Sequence, residues 1–196
     1  VERQIPNGIG VFVLPNLAFP VWENLLIPFL CWLRKPDILH SPANTSPLLP
    51  VFVKRVVTIH DLIFMNEGKI IGKPTNWYQR LGRAYMALNV RMLIRFVDKV
   101  VTISDFSRNE IMEKFHLRNE KVRRVYEGAG TSFVISRSEE IKNNLIHFGS
   151  VDPRKNTQMV IKAFLKSNLT SEGITLSVLG LSEKGASQIK SKLTDM

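Results

Sequence analysis

The chain has 196 residues, of which 44% are hydrophobic, and it carries a formal net charge of +10 at pH 7. This hydrophobic content is enough to bury a core and excludes a disordered chain. The positive charge suits an anionic partner. It is spread along the sequence, without the clustering usual in nucleic-acid-binding proteins, so we expect no nucleic-acid partner.

Cys31 is the only cysteine, and residues 1–4 do not resemble the start of a signal peptide. A single cysteine excludes a disulfide framework within this chain and fits a reducing compartment. We therefore expect a cytoplasmic protein.

The apolar span 9–33 predicts a short strand at 11–14 and a helix at 21–33. Three prolines and Glu23 interrupt the span, and a membrane-spanning helix of roughly 20 apolar residues would rarely carry them together. We expect both elements in a buried core. The alternative is an interfacial membrane contact through three aromatic side chains at helical spacing, Trp22, Phe29 and Trp32.

The rest of the chain alternates strand patterns with helix patterns, which predicts an α/β fold with parallel sheets built from right-handed crossovers. Further strands are predicted at 37–39, 56–59, 99–103, 122–126, 145–149 and 175–179. Further helices are predicted at 77–96, 157–165 and 183–193.

Two helices carry additional signals. In the helix 77–96, apolar side chains recur every three to four residues, which is typical of an amphipathic helix. Another helix is predicted to open at a capping box formed by Ser107 and Glu110, with Ile111, Met112 and Phe115 on its buried side. The stripe of the helix 77–96 consists of Trp77, Leu81, Tyr85, Leu88, Met92 and Phe96.

A break rich in glycine, serine and charge covers residues 127–144. Such composition is typical of a domain boundary. We predict two domains, 1–130 and 145–196, joined by a linker at 131–144.

Ligands of open parallel sheets bind at the carboxyl ends of the strands. His60 and Asp61 directly follow the strand 56–59, so they are candidate catalytic residues, although a structural histidine with internal hydrogen bonds is an alternative. For Ser104 and Asp105, which follow the strand 99–103, helix capping is the simpler interpretation. No metal ligand is assigned, because the other histidines lack metal-site spacing: His40, His116 and His147.

A basic turn, defined here as residues 150–156, connects the strand 145–149 to the next helix. Arg154 and Lys155 bring positive charge to a helix N-terminus, which favours an anion such as a phosphate. The alternative is a solvated basic turn with Asn156 or Thr157 as N-cap, and the segment alone does not decide between them. No Walker lysine motif or GxGxxG is present, so an NTPase or dinucleotide site has little support.

Five strings, taken in order, resemble glycosyltransferase family 4, and Trp22-Glu23 followed by Pro28 resembles its bacterial mannosyltransferase-like group. Each string alone is weak, whereas the set covers nearly the whole chain. The strings are DILHSP (37–42), VTIHDL (57–62), VVTISDFSR (100–108), VRRVYEG (122–128) and FGSVDPRKN (148–156).

The resemblance implies a GT-B fold, in which two Rossmann-like domains face each other across a cleft and the C-terminal one holds a GDP- or UDP-linked sugar. It implies transfer with retention of configuration, without a metal ion or other cofactor. His60, with Asp61 beside it, matches the active-site histidine that contacts the transferred sugar. Arg154 and Lys155 match the element that binds the donor diphosphate, and would lie across the cleft from His60.

The chain also departs from the family pattern. Ser150 stands where many members carry arginine, so Arg154 and Lys155 would supply most of the diphosphate binding. The N-terminal glycine-rich loop and the acidic motif of the C-terminal domain are not found. We therefore expect a chain truncated at both ends, with each domain only partly present.

The expected function is transfer of a hexose, mannose by the subgroup, to a lipid-linked or polysaccharide acceptor in cell-surface glycan synthesis at the inner membrane face. The alternative is a non-catalytic or partner-dependent fragment that binds nucleotide, membrane or another polypeptide. An incomplete sheet, with unprotected strand edges and apolar faces, would favour such association.

Overall fold

The computed structural model describes residues 8–15, 17–65, 77–128 and 143–194. Its contacts divide the chain into two units: Val1–Leu62 with Leu81–Tyr126, and Ile63–Arg80 with Glu127–Met196. Parallel sheets and helices confirm the α/β class. The predicted linker, 131–144, lies almost entirely outside the described residues, so the predicted domain division stays a prediction.

The first unit is built on a four-stranded parallel sheet with the strands in chain order. Val57 lies opposite Val100 in the register of the two central strands. Because all the strands run the same way, the loops that follow them gather at one edge of the sheet. The strands are β1 (Ile38–Ser41), β2 (Lys54–Thr58), β3 (Lys99–Thr102) and β4 (Val122–Arg124).

The helices of this part of the chain lie where the sequence predicts them, with shifted ends. A continuous helical segment runs through residues 19–34, and its middle turn is π-helical, since Ile27 N–H donates to Trp22 O. The segments are α1 (Phe19–Val21), the π-turn (Trp22–Leu26), α2 (Ile27–Arg34), α3 (Trp77–Leu93) and α4 (Asp105–Phe115).

The core of the first unit lies between the sheet and its helices. β-branched residues dominate the strands, and the helices add aliphatic side chains. Each fully buried aliphatic side chain stabilises the fold by roughly 1.5–3 kcal/mol. Among the described residues, the Val, Ile and Leu side chains with at most 2% exposure are Val57, Ile59, Leu62, Val90, Leu93, Ile94, Val97, Val100, Ile111 and Val122.

The long helix α3 does not bury the apolar stripe that its sequence shows. Leu81 is 59% exposed and Leu88 is 54% exposed. The buried face is instead formed by Asn89, Val90 and Leu93. The helix thus turns a different side to the core from the one that its apolar stripe predicts, and this side carries one polar residue, Asn89.

Two expectations for the N-terminal span are wrong. Residues 11–14 form no strand, because no described strand pairs with them, and Val13 is 92% exposed. The helix exists, but Phe29 and Trp32 are exposed, so it is not a fully buried core helix. It turns Glu23 and Cys31, eight residues apart, towards the interior, and the two aromatic rings therefore lie on other faces.

The start of α4 is also different from the prediction. The N-cap is Ser104, whose Oγ accepts a hydrogen bond from Ser107 N at 3.1 Å. The proposed capping box at Ser107 is wrong, because this residue already lies inside the helix. Helix capping by Ser104 is confirmed, and Ile111 is fully buried as predicted.

Residues 143–194 follow the prediction to within one residue at each end. The two strands β5 (Asn144–Phe148) and β6 (Thr175–Leu179) pair in parallel. Two helices accompany them, α5 (Thr157–Lys166) and α6 (Glu183–Thr194).

Gly149 sits where β5, β6 and α5 meet. Its N–H donates to Leu179 O at 2.7 Å. A Cβ atom at this position would lie 2.5 Å from Val178 Cγ1 and 3.2 Å from Thr157 Cγ2. Only glycine allows β5 to end this close to its neighbours.

Candidate functional site

His60 stands at the carboxyl edge of the sheet of the first unit. The strand pairing continues to Ile59, whose N–H donates to Val101 O at 2.8 Å, and His60 is the next residue. His60 N–H donates to Asn44 Oδ1 at 2.9 Å, and its Nε2 lies 3.0 Å from Pro42 O. A carbonyl oxygen can only accept, so Nε2 is the donor in this contact.

The two acceptors just named for His60, Asn44 and Pro42, belong to one segment, residues 42–48, which we call the β1 loop. Asn44 takes a left-handed backbone conformation, with φ 62°, and donates its N–H to Thr58 O at 2.9 Å. The loop therefore folds back onto the end of β2. His40 is held by the same strand end, with Nε2 2.8 Å from Thr58 Oγ1, which is a structural contact. Asp61 is half-buried beside His60.

A buried carboxylate, Glu23, lies behind the β1 loop with 3% exposure. Its Oε1 accepts from Thr45 Oγ1 at 2.7 Å, and its Oε2 accepts from Tyr85 OH. Burial raises the pKa of Glu23, and the hydrogen bonds from Tyr85 and Thr45 oppose that rise. Burial and Glu23 raise the pKa of Tyr85 to about 12, so the phenol keeps its proton and donates it.

In the second unit, the basic turn satisfies its own backbone. Asp152 caps a short 3-10 turn, accepting from Arg154 N at 3.0 Å, and Lys155 N donates to Asp152 O at 3.0 Å. Thr157 Oγ1 accepts from Ser150 N at 3.0 Å and donates to Ser150 O. The turn N–H groups expected to receive an anion are therefore already bonded to the protein.

Backbone N–H groups that could bind an anion lie just after the basic turn, at the start of α5. α5 begins at Thr157, and the N–H groups of its first turn have no carbonyl within the helix to bond. Asn156 is the N-cap residue of α5, as the alternative interpretation of the turn allowed, with φ 50°, but its side chain makes no cap hydrogen bond. The N–H groups that this segment could offer to an anion therefore lie at the helix N-terminus and not in the turn before it.

A pocket of about 290 Å³ opens at this helix N-terminus. Ser150 lines it, whereas Arg154 and Lys155 belong to the same turn but do not. Arg154 Nη2 is 2.7 Å from Asp152 Oδ2, and this pairing lowers the pKa of Asp152 to about 2. The lining residues are Ser150, Val151, Asp152, Pro153, Asn156, Thr157, Gln158, Gln188 and Ile189.

A family model described as Glycosyltransferase Family 4 matches residues 3–133. The chain belongs to glycosyltransferase family 4. No curated protein matches the chain. The match contains the first four of the five strings, including His60 and Asp61, and ends before the basic turn. Membership makes the protein a glycosyltransferase, whose partners are a nucleotide-sugar donor and an acceptor.

Two further properties bear on this glycosyltransferase. Within the described residues, no three side chains of the metal-binding types His, Cys, Asp and Glu form a group that could hold an ion. Nor is any helix in the described ranges long and apolar enough to cross a membrane.

Sequence patterns did not reveal the buried network behind the β1 loop. Tyr85 fits the apolar stripe of α3, so the sequence pattern does not predict a hydrogen-bonding role for its hydroxyl. Asn89, which is fully buried, carries a signal, because a polar residue among Val90, Leu93 and Ile94 requires an internal partner. Which residue provides that partner depends on the tertiary fold.

Proposed function

We propose that this family 4 glycosyltransferase moves a hexose from a GDP- or UDP-linked donor to a lipid-linked or glycan acceptor, with retention of configuration. Mannose is the proposed sugar, from the subgroup resemblance, and cell-surface polysaccharide is the proposed product. The observation that carries the donor site is the pocket at the N-terminus of α5, beside the basic turn.

The donor diphosphate is assigned to this helix N-terminus, Ser150 and the two cations Arg154 and Lys155. Lys155 is exposed at the end of the turn, where its flexible chain can reach a phosphate. As the glycosidic bond breaks, negative charge grows on the leaving nucleoside diphosphate. Helix N–H groups and fixed cations stabilise that charge, which supports a reaction that needs no metal ion.

His60 and Asp61 are assigned to the transferred sugar. The contacts of His60 with Asn44 and Pro42 hold its backbone and its ring in one orientation. A ring held in this way can contact the sugar near the reacting carbon without losing further conformational freedom.

Binding and turnover test the two assignments separately. We expect Lys155→Ala to weaken GDP and UDP binding by about tenfold or more, the effect of losing one charge-assisted contact. Isothermal titration calorimetry measures it. Lys166→Ala, at the other end of α5, is the matched control and should leave affinity unchanged. Equal affinities of wild type and Lys155→Ala would refute the donor assignment.

We expect His60→Ala to lower kcat by at least about tenfold while the donor dissociation constant stays within about twofold, because the ring acts mainly in the transition state. His116→Asn, at the left-handed C-cap of α4, is the control. A loss of donor affinity that fully accounts for the lower rate would contradict the catalytic role.

We propose that the enzyme acts at the inner face of the membrane, where a lipid-linked acceptor would be found. The support is an apolar groove of about 600 Å³ on the first unit. Trp32 is 67% exposed and Phe52 is 92% exposed at this groove, and Lys35 adds positive charge. Aromatic rings beside cations suit an anionic membrane surface. A cytoplasmic location is part of the same proposal.

The alternative, a non-catalytic or partner-dependent fragment, has its own support. On β5, Ile146 is 60% exposed and Phe148 is 74% exposed, and both side chains lie on one face of the strand. A bare sheet face favours association with another polypeptide. A sugar-transfer assay on the 196-residue chain decides, since turnover above background eliminates the inert alternative.

A further inference from the structure

We infer that Glu23 is a positioning residue that holds the β1 loop in place and, through that loop, sets the position of His60. The inference rests on the proposed function only in that His60 contacts the sugar. The contacts that carry it lie entirely within the first unit.

The β1 loop is fastened by a side chain of α3. Asn89 accepts from Ser46 N at 3.2 Å through Oδ1 and donates from Nδ2 to Ser46 O at 2.9 Å. Both residues are 0% exposed. One amide thus satisfies both backbone groups of Ser46, as a neighbouring strand would, and a buried loop requires such partners.

Glu23 fastens the preceding residue of the loop. Thr45, which is 3% exposed, donates its hydroxyl hydrogen to Glu23 Oε1 at 2.7 Å. This bond directs the hydroxyl hydrogen of Thr45 towards the carboxyl group of Glu23. Truncating Thr45 would leave a buried carboxylate oxygen without a donor.

Tyr85 and Asn24 complete the set of contacts. Asn24 Nδ2 donates to Tyr85 OH at 2.8 Å, so the phenol oxygen accepts there and its own hydrogen points to Glu23. Asn24 Oδ1 accepts from Leu48 N at 2.8 Å. The loop is therefore held at Thr45, Ser46 and Leu48 by two helical segments. Burial of Glu23 makes these bonds strong, since little water competes for them.

The held loop contacts His60 at two points. Asn44 is the direct neighbour of Thr45, and its Oδ1 accepts from His60 N–H at 2.9 Å. Pro42, at the start of the same loop, accepts from the ring at 3.0 Å. A displacement of the loop would move both acceptors away from His60 together.

Amide hydrogen exchange tests the inference without any assay of sugar transfer. In Thr45→Val, which keeps the shape of the side chain and removes its hydroxyl, we expect the His60 amide to exchange about tenfold faster or more. The Ile59 amide, bonded to Val101 O, is the internal control and should keep its rate. Thr45→Ser restores the hydroxyl and should restore protection of His60.

Two other variants complete the exchange experiment. Asn44→Ala removes the acceptor itself and should expose the His60 amide even with Glu23 in place. Tyr85→Phe removes one hydroxyl from Glu23 and carries the test if Thr45→Val does not fold. Exchange of His60 that stays unchanged, or that rises by the same factor as exchange of Ile59, would overturn the inference, because the effect would be absent or global.

Kinetics add a readout that mere stabilisation would not move. With folded Thr45→Val we expect kcat to fall by about tenfold, as for a misplaced group, while the donor dissociation constant stays within about twofold. The two proposals can also fail separately. If the His60 amide is protected in wild type and exposed in Thr45→Val, but neither protein transfers sugar, the proposed function is refuted and the positioning role stands.

Discussion

Arg154 turns its guanidinium back to Asp152, although it lies one residue from the pocket that the turn borders. Nη2 is 2.7 Å from Oδ2, and Nε also contacts the carboxylate. The pKa of Asp152 is lowered to about 2, so the carboxylate stays charged at any pH at which the enzyme is expected to work. If the donor diphosphate binds as proposed, it would compete with Asp152 for the guanidinium.

The first prediction removes this competitor. Asp152→Asn keeps an oxygen to cap the turn, and it removes one negative charge from the pocket lining. We expect GDP or UDP to bind about two- to fivefold more tightly, the size usual for one exposed ion pair. Titration calorimetry measures it. Asp105→Asn, which loses a similar exposed pair with Arg124, is the control, and an equal gain there would show an effect of net charge alone.

Single residues could be predicted from the sequence only where a local pattern names their role. His60 follows a β-branched run, so its place at the sheet edge is evident. Glu23 gives no such signal, because its partners Thr45 and Tyr85 lie 22 and 62 residues away. Ser104 could be predicted as a capping residue from its position alone, because a serine between a strand and a helix commonly caps the helix.

Among the secondary-structure elements, the ends of β5 and β6 were predictable because glycines lie beside them: Gly149 after β5, and Gly173 and Gly180 on either side of β6. α3 was predictable as a helix but not in its orientation. Its apolar stripe predicts one buried side, whereas the fold buries a different side, which carries Asn89. Residues 11–14 have the composition of a strand, but composition cannot provide the neighbouring strand that pairing requires.

The second prediction concerns the junction of β5, β6 and α5. Gly149→Ala would bring Cβ to 2.5 Å from Val178 Cγ1, so the Val178 side chain or the backbone of these elements must shift. We expect a loss of about 1–3 kcal/mol in the free energy of unfolding, the usual cost of overpacking, measured by urea denaturation.

The control for this change is Gly82→Ala inside α3, where a Cβ meets no atom within 4 Å. Alanine should stabilise the helix there by about 0.5–1 kcal/mol. Similar effects at the two glycines would contradict the close approach at Gly149.

For the whole molecule, the α/β class and the family were predictable from the five family-like strings. Each string combines the apolar pattern of a strand with the polar residues at the carboxyl end of that strand. How His60 and the basic turn combine in one reaction stays a prediction, since they belong to different units. Long-range geometry of this kind depends on residues between the units, and residues 129–142 lie outside the described ranges.

The third prediction follows from the net charge of +10 together with the aromatic groove of the first unit. We expect the protein to sediment with vesicles of phosphatidylcholine and phosphatidylglycerol, less so with phosphatidylcholine alone, and less at high salt. Trp32→Ala should weaken this binding because the ring adds apolar burial to the electrostatic attraction.

Trp77→Ala is the matched control for the vesicle experiment, since Trp77 is 73% exposed on α3 and does not line the groove. Unchanged sedimentation of Trp32→Ala, or an equal loss with Trp77→Ala, would argue against a membrane contact at this groove.

Two adjacent residues of the π-turn at Trp22–Leu26 hold the β1 loop. Glu23 accepts a hydrogen bond from Thr45, and Asn24 accepts one from Leu48, so this single turn holds the loop at two points. The wide turn holds one residue more than a regular turn would. Deletion of that extra residue would give a regular helix in which the residues after the deletion are rotated about the helix axis. The β1 loop would then lose contacts that keep the hydrogen-bond acceptors of His60 in place.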